Sequence, residues 1–168
     1  MPDKDKIRSV SPTDLEAICE HRERMFADSG RAREQLKPMT DAFREWLRPR
    51  LADKSYFGWI IEREGQIIAG IGMMVIDWPP HPSHPTQSQR GYVLNMYVDP
   101  DHRRRGIASR LIGMARAEAE ALGLDYMTLH ATRQGRPLYD LLDWIETSEM
   151  ALHLTPPIPI DESKVDYD

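Results

Sequence analysis

Apolar residues recur along the chain at two spacings, and the switches between them mark out the elements. Ile7 to Val10 reads as a short strand, after which Ser11-Pro12-Thr13-Asp14 offers a capping hydroxyl and a proline tolerated in a first helical turn. Leu15, Ile18, Cys19, Arg22, Met25 and Phe26 then follow helical spacing up to a stop signal at Gly30. A weaker helical pattern runs from Thr40 or Asp41 through Phe43, Trp46, Leu47 and Leu51, where Pro49 is expected to kink or end it. Tyr56 to Glu62 and Gln66 to Ile76 are rich in strand formers, and Glu64-Gly65 between them predicts an antiparallel hairpin.

Residues Trp78 to Gln89 hold four prolines and two histidines, a composition that resists regular structure and predicts a long loop. Gly91 to Val98 is a further central strand, ended by Asp99-Pro100. After Gly106, the apolar positions Ile107, Leu111, Ile112, Met114, Ala115 and Ala119 predict a long helix closed by Gly123. Tyr126 to Ala131 is the next strand, Pro137 opens a short helix with Leu138, Tyr139, Leu141 and Leu142, and Trp144 to Leu154 returns as a last strand. From Thr155 the chain is proline-rich and then acidic, without periodicity, so the expected division is a domain over 1–154 and a tail over 155–168 that is mobile or lies along a partner. No internal repeat is visible. The order describes a mixed α/β domain.

Composition narrows the classes of function. A length of 168 residues fits one domain, and 40% hydrophobic with 29% charged residues excludes both a disordered chain and a membrane protein. The longest apolar stretch, Ile67 to Ile76, falls well short of a spanning helix. A net charge of −5 argues against binding nucleic acid through whole-molecule charge. Cys19 is the single cysteine, so an internal disulfide and a multi-cysteine zinc cage are excluded. Met1 to Lys6 lacks a following apolar run of the kind a secretory signal has, and the expected location is cytoplasmic.

The most informative segment runs from Val93 through the strand end Tyr97-Val98-Asp99-Pro100 into Arg103-Arg104-Arg105-Gly106-Ile107-Ala108-Ser109. A helix beginning there leaves its first N–H groups unpaired, and its dipole places partial positive charge at the same point. Gly106 allows close main-chain approach to an anion, Ala108 keeps the next turn thin, and three arginines add donors for phosphate oxygens. A plainer reading makes them a solvated basic turn. No Gly-x-x-x-x-Gly-Lys-Ser/Thr phosphate loop is present.

Within this segment Arg103-x-x-Gly106-x-Ala108 resembles the acyl-CoA signature of the GNAT superfamily of N-acetyltransferases. Ile7-Arg8, Thr13-Asp14-Leu15 and His21-Arg22 to Met25-Phe26 look like that family's first strand and helix, and Gly135-Arg136-Pro137 before Leu138-Tyr139-Asp140 resembles its late helix with a tyrosine. Two positions depart from the pattern: Asp143-Trp144 stands where Gly-Phe is usual, and Thr132 where asparagine is frequent.

The resemblance implies a mostly antiparallel sheet with splayed central strands, flanked by helices on both faces. It also implies acetyl-CoA as co-substrate, held through its pantetheine arm by the main chain of Met96, Tyr97 and Val98, with the Val98 N–H facing the thioester oxygen. The pyrophosphate falls to the loop from Arg103 to Ser109, including Ile107, and Thr132 is a further cofactor-side position. No metal is expected. The implied reaction is direct acetyl transfer to a primary amine on a small molecule or a protein. A non-catalytic acetyl-CoA sensor is the alternative, and a homodimer is an open option.

Such a transfer needs a neutral amine, a stabilised oxyanion and a proton for the departing thiolate. Tyr139 is the candidate acid, since a phenol keeps its proton at neutral pH; its plainer role is packing. His130 is the candidate base, although a lone strand histidine also serves structure. Asn95 is a candidate for orienting the amine or a water, while Glu62 and Asp77 are further carboxylates without a fixed register. His81 and His84 have a spacing compatible with metal, as a zinc-dependent hydrolase would require, but no other ligand stands near them in sequence.

Overall fold

The computed structural model describes residues 5–159. In chain order the elements are β1 (Asp5–Ser9), α1 (Leu15–Asp28), α2 (Arg33–Asp53), β2 (Phe57–Arg63), β3 (Gln66–Asp77), β4 (Gln89–Val98), α3 (Ile107–Ala121), β5 (Met127–Leu129) and α4 (Arg136–Leu141). The strands form one sheet in the order β1-β2-β3-β4-β5. Every neighbouring pair is antiparallel except β4 with β5, which run parallel. Glu64 and Gly65 both have positive φ, 52° and 80°, the geometry of the tight turn expected between β2 and β3.

The sheet is covered on both faces. Ile61, Ala69, Ile71, Met73 and Val93 pack against Ile107, Leu111, Ile112 and Ala115 of α3. A second buried cluster joins Ile18 and Cys19 of α1, Phe43, Leu47 and Leu51 of α2, and Tyr56 just before β2. The mixed α/β class, the antiparallel bias and the two helical layers follow the sequence reading. Among the described residues no helix is long and apolar enough to cross a membrane.

Three elements differ from expectation. Helix α2 starts at Arg33, well before Thr40, and continues past Pro49 to Asp53. Its buried stripe Leu36, Thr40, Phe43, Leu47 and Leu51 holds it across the proline, and the Arg50 guanidinium donates to the Trp46 carbonyl at 2.6 Å. Strand β5 is three residues long instead of Tyr126 to Ala131, because its pairing with β4 stops at Val93↔Leu129. The expected last strand, Trp144 to Leu154, has no strand partner or regular secondary structure among the described residues; Trp144 is half-buried against the core, and the apolar side chains Ile145, Met150, Leu152 and Leu154 are exposed. Residues 155–159 of the expected tail are exposed as well, and 160–168 lie outside the described residues.

Candidate active site

The site begins where the sheet comes apart. Strand β5 accompanies β4 from Gly91 to Val93, so the β4 edge from Leu94 to Val98 on that side has no strand beside it. A bulge in β4 coincides with the parting: opposite β3 the register moves from Gly72↔Leu94 to Gly70↔Tyr97, leaving one extra residue on β4. Asn95 occupies the bulge with φ of 54° and is buried. Its Nδ2 donates to the Tyr56 hydroxyl at 3.0 Å, and its Oδ1 accepts from Arg22 Nη1 at 2.7 Å. Tyr56 reaches this point because Gly72 has no side chain; a Cβ there would sit 2.0 Å from the Tyr56 oxygen. Burial, partly offset by the Asn95 contact, pushes the Tyr56 phenol up to about 12.

A cleft of about 770 Å³ opens along this edge. It is lined by His102, Arg103, Arg104, Gly106, Ile107, Ala108 and Ser109 from the loop and helix after β4, by Tyr92, Asn95, Met96, Tyr97 and Val98 of β4, by Arg22, Met25 and Phe26 of α1, and by His130, Thr132, Leu138 and Tyr139 from the chain after β5. Gly106 caps α3 in the left-handed region, φ 75°, and the space where its Cβ would stand is open. The first main-chain bond of α3 is Arg110 N–H to Gly106 C=O, so the preceding N–H groups are not used by the helix. The three arginines differ. Arg103 donates to the Val98 carbonyl at 2.9 Å and to Asp28 at 2.5 Å, which ties the loop to β4 and α1. Arg104, with φ 59°, faces the cleft, whereas Arg105 is exposed and does not line it. His102 Nδ1 is buried without a hydrogen-bond partner among the described residues. An unused helix N-terminus, a left-handed glycine, Arg104 and an orphaned imidazole nitrogen together fit a pyrophosphate.

Tyr139 is buried on α4, its ring edge-on to Trp144 at 5.8 Å between centroids. Burial alone pushes its phenol up to about 12. Thr132 fixes the turn that launches α4: its Oγ1 accepts from the Gly135 N–H at 3.1 Å, and its carbonyl from the Gly135 and Arg136 N–H groups. The Tyr92 hydroxyl lies 2.7 Å from His130 Nδ1, and the Glu149 carboxylate is 3.6 Å from the other ring nitrogen.

The acetyltransferase (GNAT) family profile matches residues 15–143, which spans every element of the cleft. The chain belongs to the GNAT family. It is 52% identical to a GCN5-related N-acetyltransferase from Ralstonia eutropha JMP134, with a TM-score of 0.87 over 89% of this chain and 98% of that one. A predicted acetyltransferase from Clostridium acetobutylicum, solved with acetyl-CoA, is 27% identical with a TM-score of 0.79, covering 90% of this chain and 96% of that one. An aminoglycoside N-acetyltransferase solved with CoA, 17% identical with a TM-score of 0.65 over 90% and 94% of the two chains, shares the fold. A search of curated proteins gave no match. The family's general chemistry is acetyl transfer dependent on acetyl-CoA.

As a GNAT protein, the chain brings most of the residues singled out in the sequence into one cleft, while Arg105, Glu62, Asp77, His81 and His84 do not line it. Among the cleft residues given no site role in the sequence are His102, Arg22 and Tyr92. His102 lies in the basic loop itself, so its position was an available signal. Arg22 and Tyr92 had none, because their partners are 73 and 38 residues away. Glu62 is spent on Arg8 at 2.7 Å. His81 and His84 face each other across a tight turn, where His81 Nδ1 accepts from the Ser83 N–H at 3.1 Å.

Proposed function

We propose that the chain transfers the acetyl group of acetyl-CoA to a primary amine by direct attack of the amine nitrogen. One observation carries the reading: the anion cradle at Gly106, the open β4 edge, and the Tyr92–His130 pair with Tyr139 share a single cleft. Bound acetyl-CoA supplies an activated acyl group, and the chain must hold it, take one proton and shield the leaving sulfur.

The N–H groups opening α3, from Ile107 to Ser109, bind pyrophosphate with Arg104 and His102, while Arg105 adds charge from outside. Arg103 acts behind the loop, through Val98 and Asp28. The main chain of Met96, Tyr97 and Val98, lacking a strand on the cleft side, aligns the pantetheine arm, with the Val98 N–H toward the thioester oxygen. Tyr92 takes the amine proton as its own passes to His130 Nδ1, and Glu149 faces the far side of the ring. Tyr139 donates a hydrogen bond to the departing sulfur. A phenol near 12 keeps its proton against a thiolate whose reference pKa is about 8.5, so its contribution is a hydrogen bond made as charge develops. Asn95, with both side-chain atoms engaged, positions the bulge. Thr132 positions the helix that carries Tyr139.

The amine, on a small molecule or a protein, enters beside Arg22, Met25 and Phe26 of α1. Residues 1–154 form the catalytic domain and 155–168 a tail outside it. Thiol release from acetyl-CoA with pooled primary amines tests the reading: release with some pools, reduced by His130→Gln, is expected. Silence across a broad set, with acetyl-CoA still raising the melting temperature, overturns it in favour of a sensor that binds without transferring.

A further inference from the structure

The chain just beyond α4 has no regular secondary structure, yet three contacts hold it along the residues that handle protons. The Trp144 N–H donates to the Tyr139 carbonyl at 3.0 Å, and the two rings meet edge-on. Glu146 pairs with Arg136, the first residue of α4. Three residues later the Glu149 carboxylate stands 3.6 Å from His130 Nε2, while Nδ1 of the same ring meets the Tyr92 hydroxyl. At that distance the carboxylate acts as a charge more than as a hydrogen-bond acceptor. Tyr92 leaves the tautomer of His130 undecided, because a hydroxyl 2.7 Å away donates to a bare nitrogen or accepts from a protonated one. Only one choice permits the relay from Tyr92: Nδ1 bare to receive its proton, with the ring hydrogen on Nε2.

Resting on the transfer reading given above, we propose that Glu149 is a positioning residue for the reaction: its carboxylate keeps the hydrogen of His130 on Nε2 and so leaves Nδ1 open to the Tyr92 proton. A negative charge beside one imidazole nitrogen favours the tautomer whose N–H points at it. Glu149 does not line the cleft, so it acts through His130. When the amine attacks, its nitrogen gives a proton to the Tyr92 oxygen, the phenol passes its own to Nδ1, and the ring gains a positive charge that the same carboxylate faces. The side chains of His130 and Glu149 are 51% and 63% exposed, so water reaches the ring to remove one proton. The carboxylate again decides that Nε2 keeps the other, which resets the pair for the next amine. Arg136 and Trp144 bring the carboxylate to this place, since they hold the chain on either side of Ile145 against α4.

Imidazole nitrogen shifts of the full chain labelled with 15N read the tautomer directly, without any acceptor. Once the shifts stop changing with rising pH, the parent should show His130 protonated at Nε2. Glu149→Lys, which sets a cation beside that nitrogen, should move the population toward Nδ1–H. With acetyl-CoA and the pooled primary amines, kcat should fall about two- to fivefold in Glu149→Gln, the range open to an exposed pair, and further in Glu149→Lys. The KM for acetyl-CoA should stay at the parent's value. In a His130→Gln background, Glu149→Gln should lower kcat no further. A parent protonated at Nδ1, a tautomer indifferent to Glu149→Lys, an unchanged kcat in both variants, or an added loss in the His130→Gln background each overturns the proposal while acetyl transfer stands. A parent silent with every pool, or one whose rate ignores His130→Gln, fails the transfer or relay reading itself and takes this role with it.

Discussion

Arg22 reaches from α1 to the bulge of β4 and donates to Asn95 Oδ1 across 2.7 Å, so one side-chain amide fastens a helix to the point where the sheet divides. The Arg22 guanidinium also lies over the rings of Phe26 and Phe43, at 5.0 and 4.7 Å from their centroids. Replacing Asn95 with leucine leaves the Tyr56 hydroxyl and Arg22 without that amide and places a branched side chain at positive φ. A loss of stability of about 1–3 kcal/mol is expected, read by urea denaturation. Asn95→Gly, which tolerates the backbone, should lose less. Equal stability of the leucine variant and the parent would remove Asn95 from the scaffold.

Acetyl-CoA should raise the melting temperature, because a ligand of the native state stabilises it by mass action, by about 2.7 kcal/mol at a hundredfold excess over Kd. Gly106→Val should abolish that shift. The apo variant remains folded, since the Cβ meets open space, but loses on the order of 1–2 kcal/mol to the left-handed backbone. A variant that binds acetyl-CoA as well as the parent would show that the phosphate lies elsewhere.

Tyr139→Phe should lower kcat about a hundredfold while the KM for acetyl-CoA stays close to the parent's, the pattern of a contact made mainly in the transition state. With the phenol pushed up to about 12, its ionisation leaves no basic limb in the pH–rate profile below about pH 10. An unchanged kcat would leave Tyr139 as a packing partner of Trp144.

His21 predicts an acid sensitivity of stability. Burial, helped by Arg24, lowers its imidazole to about 4, and the ring lies 4.7 Å from that of Tyr97. The ordinary value, 6.5, applies once the chain unfolds. Between those two values the unfolded chain binds a proton that the folded one refuses. Stability is therefore complete above about pH 6.5 and falls by roughly 1.4 kcal/mol per unit as pH drops toward 4. Burial pushes the Asp14 carboxyl up, but Arg8 and Ser11 outweigh it and hold it below its usual range, so its own loss begins at lower pH. His21→Gln should flatten the slope between pH 6.5 and 4.5 in thermal melts; an identical slope in parent and variant would place the sensitivity elsewhere.

Local chemistry made parts of this molecule readable in advance. The run from Arg103 to Ser109 announces its helix start, and the phosphate role proposed for it, within a few neighbouring residues, and Glu64-Gly65 announces its turn in the same way. Asn95 was visible as a strand residue but not as a bulge, because its φ is set by Tyr56 and Arg22, which meet it only after folding. Tyr92 and His130 likewise become a pair only when β5 runs beside β4. The alternation at Met150, Leu152 and Leu154 suggested a strand that the structure does not form, because a period names no neighbour to pair with. Helix α2 outran its proline because burial on both sides of Pro49 outweighs one missing donor.

The parting of β4 from β5 also has a mechanical meaning. In main-chain terms the sheet is stitched to its last strand by three residue pairs, Gly91↔Met127 to Val93↔Leu129, and beyond them lies a seam instead of a ladder. A ligand lying in that seam and bonding to the β4 edge becomes a transverse tie between the two halves. With the roles proposed above, the stiffness of the cleft wall is then a property of the loaded protein, Tyr139 and His130 on one side being registered against the loop at Gly106 on the other by the molecule bound between them.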